Sequence, residues 1–172
     1  MKAILMSIKP QWVAKILNGE KTIEIRKKFP KDYVGWVYIY CTKDKKYANL
    51  INRGGFLTGM VVARFWCDKV VEYVNGAKIV CGQPAYLNTY KFILKDACLT
   101  EDELYDYCED LSFKAIHITK LEIFDKPKEI SEFMKVSCKG CPFENTQTCH
   151  NNTDGRYCKL NRAPQSWCYI EI

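Results

Sequence analysis

Apolar positions along the chain form short runs rather than long stripes. Residues 3–8 are one such run, stopped by Lys9-Pro10, as in a buried strand leading into a helix with Pro at its first position, where a backbone N–H is not needed. In that helix Trp12, Val13, Ile16 and Leu17 stand at i, i+1, i+4 and i+5 and make one apolar stripe, and Asn18-Gly19 supplies a left-handed stop. Residues 22–27 alternate, with Ile23 and Ile25 on one side and Thr22, Glu24 and Arg26 on the other, which predicts a half-buried strand. Residues 35–41 are β-branched and aromatic and predict another. Residues 55–74 are β-rich and broken only at Asp68-Lys69, which predicts two antiparallel strands or one bulged strand. Residues 86–94 suit a helix, and Thr100 with Glu103 forms a capping-box pattern that opens an acidic helix through about Cys108. A strand over 115–124 is expected to end at Lys126-Pro127, and a last strand over 166–172 follows Ala163-Pro164. Short strands with helices interposed irregularly predict an α+β domain built on a small β-barrel, and fit a regular doubly wound parallel sheet poorly.

Composition adds scale. With 172 residues, 48% of them hydrophobic, the chain can bury one sizeable core and a small appendage, so we expect a single domain over 1–172. No apolar stretch reaches the ~18 residues of a membrane span, and the run before Lys9 is too short for a secretion signal. The expectation is a cytoplasmic protein, whose ten cysteines read as thiols and metal ligands rather than disulfides. Charge is segregated: residues 1–46 hold eleven Lys and Arg against Glu20, Glu24, Asp32 and Asp44, whereas residues 96–110 hold seven acids and no Lys or Arg. A basic half suits a partner rich in phosphate, and a solvated face without a partner is the alternative.

Four of the cysteines form a unit. Cys138, Cys141, Cys149 and Cys158 are spaced C-x2-C-x7-C-x8-C within a stretch of Asn, Thr, Lys and Gly, and this spacing lets two thiolates grip one side of a tetrahedral ion while two close the other. Structural Zn²⁺ is the reading; unligated thiols or an iron–sulfur cluster are the alternatives, and His150 is a substitute ligand. Four thiolates and Zn²⁺ sum to −2, and Lys135, Lys139, Arg156, Lys159 and Arg162 stand near in sequence to offset that charge. A closed site leaves no position for a water, so the metal is not assigned to catalysis. Cys41, Cys67, Cys81, Cys98, Cys108 and Cys168 read mostly as small buried hydrophobes.

The segments Ser7-Ile8-Lys9-Pro10, Ile16-Leu17-Asn18-Gly19 and Glu20-Lys21-Thr22-Ile23-Glu24-Ile25-Arg26 together resemble the signature of the ASCH domain family, part of the PUA-like superfamily. The ending Pro164-Gln165-Ser166-Trp167-Cys168-Tyr169 resembles the closing strand of its bacterial and prophage-type members, with the cysteine-bearing residues 136–160 as an insertion before it. The resemblance implies a PUA-like barrel with a cleft beside the signature strand for RNA, nucleotides or modified nucleosides. Lys9, Lys21, Glu24, Arg26, Gln165, Ser166 and Trp167 are then the candidate ligand-binding residues. The chemistry of Arg26 and Glu24 fits: a guanidinium fork takes phosphate or a base edge, and a carboxylate accepts from an amino group. On strand pattern alone the two make an ordinary surface ion pair worth about 0–1 kcal/mol, and Trp167 is as much a core residue as a stacking surface.

One ASCH subgroup removes the acetyl group from N4-acetylcytidine with a lysine, a threonine and a glutamate. Lys21 stands at the lysine position, and Glu24 stands where that subgroup has its threonine. An amidohydrolase acting on a modified nucleoside, with Lys21 and Glu24 as catalytic residues, is therefore the alternative to a binding module. A third reading is an adaptor that docks a protein partner through the zinc loop. His117, between Ile116 and Ile118, reads as structural.

Overall fold

The computed structural model describes residues 1–44, 58–84, 88–135 and 158–172. They divide into two compact units, one made of residues 1–13, 36–65 and 122–172 and the other of residues 14–35 and 66–121.

The first unit is built on a seven-stranded sheet. Strand β1 (Lys2–Ile8) pairs in parallel with β3 (Gly35–Cys41) and antiparallel with β12 (Trp167–Glu171). The full order is β11-β10-β12-β1-β3-β4-β9, with β4 at Val61–Cys67, β9 at Thr119–Lys128, β10 at Met134–Lys135 and β11 at Cys158–Lys159. The central position of β1 explains its continuous apolar run: with paired neighbours on both edges and both faces covered, Ala3, Ile4, Leu5 and Met6 are all fully buried. Ala3, Leu5, Tyr38, Tyr40, Val61, Phe133, Leu160 and Ile170 make one core cluster here. Helix α1 (Pro10–Leu17) follows β1 as expected and stops at Gly19, whose φ of 76° is the left-handed conformation that glycine adopts at no steric cost.

The second unit carries a five-stranded sheet in the order β2-β8-β5-β6-β7. These strands are β2 (Ile23–Arg26), β8 (Phe113–His117), β5 (Val70–Val74), β6 (Ala77–Val80) and β7 (Gln83–Pro84). One face packs on a cluster containing Ile25, Tyr73, Tyr90, Leu104 and Phe113. Helices α2 (Leu94–Ala97) and α3 (Glu101–Tyr107) belong to this unit. Both arms of the predicted capping box on α3 form, the Thr100 hydroxyl accepting from the Glu103 N–H and the Glu103 carboxylate from the Thr100 N–H.

Four expectations change. The strands on either side of Asp68-Lys69 exist, but β4 and β5 fall in different sheets and do not pair. The strand expected over 115–124 divides into β8 and β9, which belong to different sheets, and β9 runs through Pro127 to Lys128, because it is an edge strand and a proline there removes no ladder hydrogen bond. Of the expected helix at 86–94, the described residues form a 3₁₀ turn over Thr89–Ile93 that passes into α2. The α+β class holds, but the strands lie in two sheets with end strands, β11 and β9 in one and β2 and β7 in the other, and no ring closes among the described residues. The thiols also divide: Cys41, Cys67 and Cys108 are buried, Cys98 and Cys168 are half-buried, and Cys81 is exposed. Cys138, Cys141 and Cys149 lie outside the described residues, and Cys158 is described only by its backbone in β11.

Candidate functional site

The turn after α1 fixes where the signature strand begins. The N–H groups of Glu20 and Lys21 both donate to the Lys15 carbonyl, at 2.9 and 3.1 Å, and Thr22 donates to the Asp96 carbonyl at 2.9 Å while its own carbonyl accepts from Ile118 at 2.9 Å. Lys21 is thereby held at the entry to β2, and its side chain turns inward, only 3% exposed. Its ammonium donates to the Ala97 carbonyl at 2.6 Å. That carbonyl is one of the unpaired acceptors at the C-terminal end of α2, where a cation is favoured both as donor and by the helix dipole.

Period two in β2 puts Glu24 and Arg26 on one face. Glu24 Oε2 lies 3.4 Å from Lys21 Nζ and Glu24 Oε1 lies 3.0 Å from Arg26 Nη2, so each carboxylate oxygen has its own cation. The side chains are 3%, 7% and 12% exposed for Lys21, Glu24 and Arg26. The expected surface pair is thus a buried cation–carboxylate–cation cluster with one net positive charge, and Arg26 is its most accessible member. A carboxylate removed from water needs such partners, since leaving it bare costs several kcal/mol.

Two further groups adjoin the cluster. Antiparallel register sets Arg26 opposite Lys114 and Lys114 opposite Glu72, to which Lys114 is ion-paired. Tyr107, the last residue of α3, is 40% exposed and faces the C-terminal end of β2. Its phenol is raised above the usual tyrosine range, first by burial of the ring's polar end and also by the Glu24 charge, against the lowering effects of Arg26 and of a hydrogen bond from the Lys27 backbone. Lys27 Nζ stands 5.4 Å from the centroid of that ring.

The remaining candidates lie in the first unit. The Ser7 hydroxyl donates to the Pro164 carbonyl at 2.6 Å, and the Ser7 N–H donates to the Ser166 carbonyl at 2.9 Å, so the first and last signature segments do meet. Lys9 and Gln165 are exposed, Ser166 and Trp167 are half-buried, and the Trp167 and Tyr169 rings pack edge to face at 5.6 Å. The structure therefore brings together Lys21, Glu24 and Arg26 in one unit, and Ser7 with residues 164–166 in the other. Sequence reasoning missed Ala97, which contributes only a backbone carbonyl, and Lys114, which only the strand register puts beside Arg26. Tyr107 was legible only as the end of a capped helix. His117 is half-exposed, with Nδ1 at 2.8 Å from Asp68 Oδ1. Among the described residues no group of three or more His, Cys, Asp or Glu is placed to hold a metal ion, and no helix is long and apolar enough to cross a membrane.

The chain carries the fold of solved ASCH domains. The crystal structure of ASCH from Zymomonas mobilis matches it with a TM-score of 0.60 at 15% sequence identity, covering 98% of this chain and 87% of that one. One single-substitution variant of that protein gives the same values, and another gives a TM-score of 0.56 at 14% identity, covering 98% and 89%. At such identity the likeness is one of fold. No protein-family model and no curated protein matches the sequence.

Proposed function

We propose that this ASCH-fold chain is a binding module for RNA or a nucleotide-like ligand, with Arg26 as the principal contact and Lys21 and Glu24 holding it in place. The observation that carries this reading is the buried cluster itself: Glu24 is engaged by a cation at each oxygen, and Arg26, the most exposed of the three, places a planar guanidinium at the accessible end of a cluster with net positive charge. Basic residues around it, including Lys27 and Lys28 on the exposed surface, add the long-range attraction that phosphate partners respond to. Lys9, Gln165, Ser166 and Trp167 are proposed as secondary contacts.

Hydrolysis of a modified nucleoside is the weaker reading. Lys21 donates to a carbonyl at 2.6 Å and stands 3.4 Å from Glu24, with its side chain 3% exposed, so its nitrogen is directed at two acceptors of the protein rather than presented to a substrate. The Glu24 charge also opposes an acyl oxyanion forming beside it.

Filter binding of a short single-stranded RNA tests the proposal. Affinity should fall steeply as salt rises, and Arg26→Ala should lose at least about tenfold, whereas Lys31→Ala, an exposed lysine of the same basic half, should lose no more than about threefold. Equal losses in the two variants would reduce the basic half to a solvated face. Structural zinc on Cys138, Cys141, Cys149 and Cys158 is a further part of this proposal. About one zinc per chain is expected by elemental analysis of protein purified without chelators, and a metal-free preparation would remove that part alone.

A further inference from the structure

We infer that the opposite face of β2, β8 and β5 holds a second binding site, for a small monoanion with a flat apolar body. The strands that present Glu24 and Arg26 on one face present Ile23, Val71 and Ala115 on the other, since side chains alternate along each strand. Register places Ile23 beside His117, Val71 beside Ala115, and Tyr73 beside Lys78. Ala115 is the small residue in that array, so the sheet surface dips over it, and Ile93 from the 3₁₀ turn walls one side. The result is an open hollow of about 240 Å³.

Its lining separates into two kinds. Ile23, Val71 and Ile93 are partly buried apolar side chains packed against the core cluster that contains Ala115, and they give a ligand body a dry surface on a rigid sheet. Lys69, Lys78 and His117 supply cationic or hydrogen-bonding heads at the rim. Asp68, the acid on the connection between β4 and β5, is engaged with His117 Nδ1 at 2.8 Å, which fixes the ring and leaves Nε2 for a second partner. Two lysines over an apolar floor complement an anion that carries a ring, not a neutral or cationic one. The hollow falls below the roughly 300–1,000 Å³ of drug-sized pockets, so it suits a body of one or two rings rather than a whole nucleotide.

The test uses naphthalene-2-sulfonate, a two-ring monoanion, titrated into the full ¹⁵N-labelled chain, with 2-naphthalenemethanol as its neutral counterpart. Saturable amide shifts are expected at Ile23, Val71, Ile93, Ala115 and His117, with the sulfonate binding more tightly than the alcohol. Replacing both rim lysines, Lys69→Gln with Lys78→Gln, should weaken the sulfonate at least about fivefold and leave the alcohol unchanged. Neither lysine belongs to the Lys21–Glu24–Arg26 cluster, so RNA binding should be retained in this variant, which separates failure of one site from failure of the other. Absence of saturable shifts at millimolar probe, shifts centred on β2 residues Glu24 and Arg26, or equal sulfonate affinity in wild type and double variant would each overturn the inference.

Discussion

Two arginine–glutamate pairs in this molecule have nearly the same contact geometry and opposite physical character. Arg26–Glu24 in the second unit closes at 3.0 Å with side chains 12% and 7% exposed, and Arg64–Glu122 in the first closes at 2.7 Å with side chains 29% and 47% exposed. Arg64 has company of its own. Its guanidinium stacks on Trp36 at 4.1 Å and donates to the Tyr38 hydroxyl at 3.2 Å, and hydrogen bonding to Glu122 is the first cause that raises its pKa. Glu122 nonetheless keeps half its surface in water, which stands ready to replace the arginine. Glu24 has no such reserve: water reaches little of it, so its charge depends on Lys21 and Arg26. Distance alone thus says little about the weight of an ion pair; access of solvent decides it.

The comparison is broken most directly at Glu24. Glu24→Gln leaves Lys21 and Arg26 facing each other without their carboxylate, and should lower unfolding free energy by about 3 kcal/mol in urea titrations. A loss below about 1 kcal/mol would mean that water reaches the cluster after all. Buried neutral groups provide the next effect, through pH. Burial pushes the Cys41 thiol up to about 12 and the Cys67 thiol up to about 11, from the 9.0 of an unperturbed thiol. The stability these thiols contribute is fully present below the unperturbed value and is lost progressively as pH rises toward their folded values, because the unfolded state releases its protons first. Between pH 8 and pH 10 the two should together remove about 2.5 kcal/mol, a little over 1 each, and Cys41→Ala with Cys67→Ala should flatten the dependence of the urea midpoint. The smallest change belongs to the exposed pair: Glu122→Gln should cost less than about 1 kcal/mol and lose even that at high salt.

Much of the fold was legible because local rules and tertiary context agreed. The continuous apolar run of β1 announced a strand buried on both faces, Thr100 and Glu103 announced the start of α3, and Asn18-Gly19 announced the end of α1. Asn75-Gly76 was equally legible and went unread. Both residues have positive φ, 48° and 75°, and they join β5 to β6 as a two-residue hairpin turn. Glycine is required there twice over, since a Cβ on Gly76 would stand 3.0 Å from the Tyr90 ring. Other elements depended on neighbours that local pattern cannot name. Pro127 ends a strand inside a sheet but not at the edge where β9 lies, and Asp68-Lys69 separates strands of two sheets rather than the arms of one hairpin.

For the candidate site, sequence alone determined which residues share a face: period two fixed Glu24 with Arg26 against Ile23 with Ile25, whatever the strand came to pack on. It also determined that Lys21 follows the glycine turn and stands just before that strand. Only the tertiary structure decided that Lys21 turns inward to the end of α2, that Arg26 stands opposite Lys114, and that Glu24 is taken out of water between two cations. The physical reason is range. Side-chain alternation is set by the dihedrals of adjacent residues, whereas burial and the neighbours of the cluster are set by groups far away in sequence, Ala97 76 positions from Lys21 and Lys114 88 from Arg26, and are decided only when the sheet closes on its register.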